Sequence, residues 1–194
     1  MHQTQKTFSA IKKQSTESLF FCNSDPMNTK ILMQNIREIA DFPQPGILFR
    51  DISPILRSPE LLKTVAEEFS KKLPIDQIDA FVGIESRGFI LASLLASHCG
   101  KGFIPLRKAG KLPPPLVSKS YSLEYGKATL EMNPGKGSVV VIDDVLATGG
   151  TLQAAVDICQ EAGYDVKQVA VLINLTALNK MTFKNEKIIS LIEY

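Results

Sequence analysis

Residues 139–151 combine the groups that a phosphate ester and a sugar diol require. Their sequence is VVVIDDVLATGGT, in which an apolar run is followed by two acids and then by a turn of small residues. Ionised Asp143 and Asp144 can accept hydrogen bonds from ribose hydroxyls, each contributing about 1.5–3 kcal/mol. The turn would present backbone N–H groups and hydroxyls at a helix start, which favours a phosphate dianion. Its residues are Ala147, Thr148, Gly149, Gly150 and Thr151.

This turn lacks the lysine of a nucleoside triphosphate site. In a P-loop a lysine follows the last glycine and reaches the β- and γ-phosphates, whereas Thr151 follows Gly150 here. A single phosphate monoester therefore fits the turn better than a triphosphate does. The acid pair has two alternative uses, namely magnesium ligation and capping of the following helix.

The chain around this motif alternates between buried strands and helices. The predicted strands are residues 80–84, 102–106, 138–142 and 166–175, and the predicted helices are 88–98 and 150–162. Buried strands separated by helices of this length indicate an α/β fold, with a mostly parallel sheet covered by helices on both faces. Because ligands bind beyond the carboxyl ends of such strands, the two acids are expected at that edge of the sheet.

Two further helices are predicted before the first of these strands. Ser58, Pro59 and Glu60 are typical of a helix start, and the buried stripe of this helix is predicted at Leu61, Leu62, Val65 and Phe69. Asn28 is predicted to cap an earlier helix, whose apolar positions are Ile31, Leu32, Ile36 and Ile39. Residues 1–26 are polar and lack periodicity, which predicts a disordered extension and leaves 27–194 as a single domain.

Composition narrows the class of protein. The chain has 22 Lys or Arg, 20 Asp or Glu and 2 His, so its net charge is +2. So small a charge argues against nucleic acid as the main partner, and so few histidines argue against histidine-centred catalysis or metal binding. No apolar run approaches the ~20 residues of a membrane span, and no secretory signal is recognisable. The three cysteines have neither disulfide nor zinc spacing, which predicts reduced thiols and a cytoplasmic location.

The regular pattern breaks down between residues 107 and 127. This stretch contains three consecutive prolines at 113–115 and several lysines. Long segments without regular structure in compact domains are usually lids, binding loops or disorder. Residues 108–126 are therefore interpreted as a lid, with a plain surface excursion as the alternative.

The motif at 139–151 resembles the phosphoribosyl pyrophosphate (PRPP) signature of type I phosphoribosyltransferases. Other stretches are similar to adenine phosphoribosyltransferases in particular, namely FPQPGILFRDISP at 42–54, ESRGF at 85–89, RKAGKLP at 107–113 and SYSLEYGK at 120–127. The resemblance implies a type I phosphoribosyltransferase fold with a small N-terminal hood and a flexible catalytic loop. It also implies a pentosyltransferase that converts adenine and PRPP to AMP and pyrophosphate in purine salvage.

The resemblance assigns a role to each charged end of PRPP. It implies that Asp143 and Asp144 hold the ribose hydroxyls and that residues 147–151 hold the 5′-phosphate. Leaving pyrophosphate needs cations to meet its developing charge, and the residues expected there are Ser86, Arg87, Arg107, Lys108 and Lys111. Solvated surface charge is the alternative for each lysine. Ala109 departs from relatives that carry a third basic residue at that position.

Two features of the pyrophosphate end are further expectations. Mg²⁺ should bridge the pyrophosphate and diol oxygens while keeping several waters, so no direct protein ligand is expected. The resemblance also implies a cis-like peptide near Glu85 and Ser86.

Displacement at the ribose carbon is expected to pass through an oxocarbenium-like state, which water captures easily. A lid that expels water therefore gives residues 108–126 a function. The resemblance implies that Glu124 manages a purine proton, most simply at N7, as general acid or base. Tyr125 would close over the ribose and pyrophosphate, and Arg87 would assist catalysis. The alternative for Glu124 is an exposed strand residue.

For the base, the resemblance implies that backbone groups of Leu48 and Arg50 read the adenine edge while Phe49 helps to enclose the ring. A 6-oxopurine enzyme would carry a lysine near the position of Asn174, and its absence favours adenine. A 6-oxopurine phosphoribosyltransferase and a PRPP-sensing regulator remain the alternatives, although no helix-turn-helix pattern supports the regulator. A homodimer is expected from the resemblance.

Overall fold

The computed structural model describes residues 26–123 and 126–194. The helices are α1 Pro26–Gln34, α2 Ser53–Arg57, α3 Pro59–Lys72, α4 Arg87–Cys99 and α5 Gly150–Glu161. The first six strands are β1 Arg37–Ile39, β2 Phe49–Asp51, β3 Ala80–Ile84, β4 Gly102–Lys108, β5 Val117–Leu123 and β6 Gly126–Met132. The remaining strands are β7 Gly137–Leu146, β8 Tyr164–Asn174, β9 Thr182–Phe183, β10 Glu186–Lys187 and β11 Ile189–Glu193. Within the described part of the chain, no helix has the length and apolar character needed to cross a membrane.

A seven-stranded sheet lies at the centre, in the order β11-β8-β7-β3-β4-β6-β5. The first five of these strands are parallel, and β6 and β5 continue the sheet in antiparallel pairing. Along β7, Val140 and Ile142 pack with the cluster that contains α3 and α4, whereas Val139 and Val141 pack with the cluster that contains α5. This alternation follows from the period of two in a strand and puts helices on both faces. The predicted α/β architecture is confirmed.

Helix α3 begins as the sequence predicts. The backbone N–H of Leu61 donates to the Ser58 hydroxyl over 3.2 Å, and Pro59 occupies the first helical turn. Val65 and Phe69 are buried, whereas Leu61 and its neighbour Leu62 are only partly buried.

The N-terminal helix is shorter than predicted. Helix α1 ends at Gln34, and Ile39 lies in β1, which pairs with β2 through Ile39 and Phe49. Asn28 is inside the helix rather than at its cap, and its amide donates to Glu68 over 2.7 Å. The helical spacing that includes Ile39 is overridden here by strand pairing with β2.

The expectation that the regular pattern is lost between residues 107 and 127 is wrong in part, whereas the lid interpretation of residues 108–126 stays a prediction. Residues 117–123 form strand β5, which pairs with β6 from Val117↔Met132 to Leu123↔Gly126. Lys119 forms ion pairs with Glu161 and, over 3.8 Å, with Asp157, so this hairpin rests on α5. Its register depends on β6 and α5, which the local composition does not reveal.

Candidate active site

The turn that is predicted to bind phosphate connects β7 to α5, but the two acids before it lie within the strand rather than after its end. Strand β7 continues to Leu146, which pairs with Asn174 of β8, so Asp143 and Asp144 lie within β7 rather than after it. A cavity of about 90 Å³ opens at the turn. Five predicted residues line it, namely Asp143, Ala147, Thr148, Gly149 and Thr151.

The turn at residues 147–151 leads directly into α5 through Gly149. Gly149 precedes the helix with a φ of 92°, a left-handed conformation that favours glycine. A Cβ added there would lie 3.2 Å from the Met181 sulfur. The cavity therefore faces a helix N-terminus, whose unpaired N–H groups suit a phosphate dianion.

The two acids of β7 lie in contact with each other. Asp143 Oδ1 accepts the backbone N–H of Asp144 over 2.9 Å. Burial raises the pKa of Asp143 well above its usual value, and the charge of Asp144 raises it further. Burial also raises the pKa of Asp144, although Arg87 opposes this with its Nε 2.9 Å from Asp144 Oδ2. Donors from a ribose would therefore stabilise carboxylates that the protein alone leaves poorly solvated.

Helix α4 brings the cationic residue Arg87 against this acid pair. The peptide between Glu85 and Ser86 is cis, as the resemblance implies, and α4 begins at Arg87. A Cβ added at Gly88 would lie 2.8 Å from the Ile142 carbonyl oxygen and 3.0 Å from Asp143 Oδ1. The absence of a side chain at this position lets the first turn of α4 touch β7.

Glu85 is the centre of a cluster that the sequence reading did not assign. Its carboxylate accepts from Lys111 Nζ at 2.7 Å, from Arg107 Nη2 at 3.2 Å and from the backbone N–H of Lys108 at 3.0 Å. The pKa of Glu85 is lowered to about 2, and the hydrogen bond from Lys111 contributes most to this shift. The structure thus brings Arg107 and Lys111 together, whereas Lys108 contributes its backbone. The available signal was an acid directly after β3, at the edge where ligands bind.

The predicted adenine residues lie on and beside β2. The Phe49 ring centroid is 5.1 Å from Arg87 Cζ and 5.1 Å from the Phe42 ring, which it meets edge-on. Leu48 is exposed. Arg50 pairs with Glu38 and lies 3.8 Å from the Tyr194 ring centroid. Phe49 therefore joins the predicted purine end to the arginine that contacts the acid pair.

Comparison with known proteins decides the family. Residues 51–192 match the phosphoribosyl transferase domain family. An adenine phosphoribosyltransferase of Bdellovibrio bacteriovorus is 58% identical over 159 residues, which cover 82% of this chain and 96% of the relative. The chain belongs to the adenine phosphoribosyltransferases. The predicted family, and with it a pentosyltransferase activity on adenine, is confirmed.

Solved adenine phosphoribosyltransferases share the fold. The enzyme of Rhodothermus marinus superposes with a TM-score of 0.80 at 42% identity, covering 88% of this chain and 100% of its own. The Saccharomyces cerevisiae enzyme, complexed with an imino-altritol bisphosphate and adenine, gives 0.77 at 32% identity over 85% of this chain and 98% of its own. The Trypanosoma brucei enzyme, in complex with AMP, pyrophosphate and ribose-5-phosphate, gives 0.75 at 25% identity over 88% and 81%. The predicted type I fold of the adenine phosphoribosyltransferases is confirmed.

These observations do not test some of the features that are predicted for an adenine phosphoribosyltransferase. Glu124 and Tyr125 lie outside the described residues, as do residues 1–25, so the predictions for them stay predictions. Among residues 26–123 and 126–194, no group of three or more His, Cys, Asp or Glu side chains could hold a metal ion. Asn174 lies at the end of β8, and its side-chain oxygen accepts from Asn179 over 3.1 Å.

Proposed function

We propose that this adenine phosphoribosyltransferase binds PRPP along the carboxyl edge of β3 and β7, and adenine beside β2, to produce AMP and pyrophosphate for purine salvage. The observation that carries this assignment is the contact between Arg87 and Asp144, 2.9 Å apart. It joins the phosphate turn of β7 to the cationic cluster that follows β3. The two halves of the site therefore lie beside each other at the edge of the sheet where ligands bind.

At the ribose end, the turn at 147–151 receives the 5′-phosphate through backbone N–H groups and hydroxyls. Asp143 and Asp144 accept the ribose hydroxyls. Since burial raises the pKa of both carboxyls in the free protein, donors from the diol stabilise their ionised forms. Binding energy at this end orients the ribose carbon for displacement.

At the pyrophosphate end, the cations are held by Glu85 in the free protein. Lys111 and Arg107 both donate to Glu85 Oε1. We assign these two side chains, together with Arg87 and Ser86, to the developing negative charge of the leaving pyrophosphate. Lys108 contributes a backbone N–H to the same cluster. Glu85 then has the role of holding the cations in place until a polyanion arrives.

Adenine is assigned to the space beside Leu48, Phe49 and Arg50, with the backbone of the first and last reading its polar edge. Glu124 moves the purine proton, and Tyr125 covers the ribose. This assignment is supported by Phe49, whose ring centroid lies 5.1 Å from Arg87 Cζ. An aromatic ring that could stack on adenine is therefore close to the arginine that we assign to the pyrophosphate. In the sequence, residues 124–125 follow β5 and precede β6.

Magnesium is assigned to the substrate complex. Hard oxygen ligands suit Mg²⁺, which retains several waters, and Asp143 supplies a carboxylate beside the predicted diol. When bound, the ion neutralises charge on the pyrophosphate oxygens. The residues of the chain bind and orient the substrate around it.

We also propose a cytoplasmic homodimer, with a disordered extension that precedes α1 and lies outside the catalytic domain. Cys99 and Cys159 are free thiols, which fits a reducing compartment. Ile90 of α4 and Phe103 of β4 are 45% and 37% exposed, on elements that pack together. Exposed apolar side chains on neighbouring elements favour contact with a second copy.

The test is a pyrophosphate-release assay with PRPP and Mg²⁺, offering adenine, hypoxanthine, guanine, xanthine and orotate in parallel. We expect turnover with adenine alone. Glu124→Gln should lower kcat by about 10²–10⁴, the usual contribution of a general acid or base, while both substrates still bind. Glu186→Gln, at an exposed acid of β10, is the matched control. Preference for hypoxanthine or guanine would overturn the base assignment, and unchanged kcat in the Glu124 variant would overturn the proton transfer.

A further inference from the structure

Tyr194 lies against the predicted adenine segment, although it is far from that segment in sequence. Its ring centroid is 3.8 Å from Arg50 Cζ, which is within the range of a cation–π contact. Arg50 also forms an ion pair with Glu38 of β1, its neighbour across the β1–β2 pair. The Arg50 guanidinium is therefore held between Glu38 and the Tyr194 ring.

The backbone of Tyr194 is fixed by hydrogen bonds that continue the parallel pairing of β8 and β11. Its N–H donates to the Asn174 carbonyl over 3.0 Å. Its main-chain oxygen accepts from the Thr176 N–H at 2.8 Å and from the Thr176 hydroxyl at 2.7 Å. These three hydrogen bonds hold the backbone of Tyr194 at the edge of the sheet, and its ring contacts Arg50 from this fixed position.

The Arg50 side chain is only 13% exposed. A cation–π contact strengthens when its cation is desolvated, so this arginine gains more from the ring than a surface arginine would. Strand β2 is short and pairs only with β1 among the described strands, and β1 is exposed throughout. The contact of the Arg50 side chain with Tyr194 therefore ties β2 to the edge of the central sheet formed by β11.

We propose that Tyr194 is a positioning residue for adenine, acting through Arg50 to fix the backbone of β2 that reads the purine edge. This inference rests on the proposed function, which assigns adenine to Leu48, Phe49 and Arg50. The inference predicts different effects on the binding of the two substrates. Tyr194 supports the binding of adenine, whereas PRPP binds at β7 and after β3. Loss of the ring loosens β2 and leaves the phosphate turn and the Glu85 cluster unchanged.

The experiment measures KM for adenine and for PRPP separately in Tyr194→Leu, Tyr194→Phe and the wild-type protein. Leucine keeps an apolar side chain against the core next to Tyr194 but removes the aromatic face. Phenylalanine keeps the ring and loses only the hydroxyl. Glu193→Ala alters the adjacent exposed residue and is the matched control. Thermal unfolding of each variant confirms that it is folded.

Tyr194→Leu should raise KM for adenine by about 5- to 30-fold, the effect of losing a partly desolvated cation–π contact. KM for PRPP should stay within about twofold of the wild-type value, and Tyr194→Phe and Glu193→Ala should behave as wild type. An unchanged KM for adenine, an equal rise of both KM values, or an equal loss in the phenylalanine variant would overturn the proposal. If the wild-type protein turned over no adenine, the proposed function would fail first, and the inference with it.

Discussion

Near the end of β7, Asp144 is buried and the adjacent Asp143 is partly exposed at the cavity, and the pKa of each carboxyl is raised. At the end of β3, Glu85 accepts from two side-chain cations and one backbone N–H, and its pKa is lowered to about 2. These regions are joined through Arg87, which contacts Asp144. One region therefore holds acids that lack sufficient partners, and the other holds an acid whose partners are already in place.

The difference indicates how each region responds to substrate. Under the proposed assignment, ribose hydroxyls would supply Asp143 and Asp144 with partners that the protein does not, so binding would relieve a cost that folding imposes. Pyrophosphate would have to replace Glu85 as the partner of Lys111 and Arg107. We therefore expect the first region to be destabilising until it is filled, and the second to be stable in the free protein and to exchange its contacts on binding.

Within this comparison of two regions, the largest expected effect comes from Asp143→Asn, which keeps the side-chain volume and removes the charge. We expect kcat/KM for PRPP to fall by about 10- to 150-fold, corresponding to ~1.5–3 kcal/mol for a charge-assisted hydrogen bond. The free protein should nevertheless become more stable at pH 7, because burial disfavours the ionised carboxyl. Steady-state kinetics and urea unfolding measure the two effects.

The pH dependence sharpens this prediction. The pKa of Asp143 is raised in the folded state, so the folded wild-type protein takes up a proton first as pH falls. The stability advantage of Asp143→Asn should therefore shrink as pH falls toward 3.8, the usual value for the carboxyl. Asp76→Asn changes an exposed acid before β3 and should alter neither property. A variant less stable than wild type at pH 7 would contradict the comparison.

Gly88→Ala tests whether the two regions are independent. A Cβ at this position would lie 2.8 Å from the Ile142 carbonyl oxygen, so backbone must move. We expect a loss of about 1–3 kcal/mol in unfolding free energy, typical of overpacking, together with weaker binding of PRPP. Urea unfolding and PRPP titration measure these losses. Ser93→Ala, at an exposed position of the same helix, is the control, and wild-type behaviour of the Gly88 variant would show that α4 and β7 are not in close contact.

The smallest expected effect is that of Glu85→Gln on the free protein. Removing the charge weakens the contacts with Lys111 and Arg107 and should lower the unfolding free energy by about 1–2 kcal/mol at pH 7. Because the pKa of Glu85 falls from 4.5 to about 2 on folding, its contribution is complete above pH 4.5 and disappears as pH falls toward 2. Unfolding curves of both proteins between these pH values measure the difference.

The matched control for Glu85 is Glu186→Gln, which changes an exposed acid of β10. That variant should show no pH-dependent difference from wild type. A stability gap between wild type and Glu85→Gln that widened on acidification would reverse the assigned sign, because it would mean that folding raises the pKa of Glu85.

The phosphate turn could be predicted from sequence because its parts are contiguous. An apolar strand, two acids, a small-residue turn and a helix start follow one another in residues 139–151, and their spacing fixes their arrangement. The start of α3 was predictable for the same reason, since the cap Ser58 is followed directly by the proline and the acid that accompany it. Local signals determine local structure in both places.

Other parts of the structure depend on partners that lie outside their own segment of sequence. Strand β5 forms because it pairs with β6 and packs on α5, and neither partner is visible in its own composition. Glu85 gains its role from Lys111 and Arg107, which β4 and the following turn bring to it. The helical spacing of Ile39 is overridden by its pairing with Phe49. Sequence reading therefore identified the cations but not the acid that holds them.

The ion pairs of Lys119 with Glu161 and Asp157 have a consequence for protein engineering. The hairpin of β5 and β6 packs on the same helix whose first turn adjoins the cavity at residues 147–151. A hairpin taken from a relative would lack a matching surface unless the outer face of α5 were exchanged with it. The smallest exchangeable module for redesigning this hairpin is therefore residues 117–161, in which hairpin, turn and helix are kept as one piece.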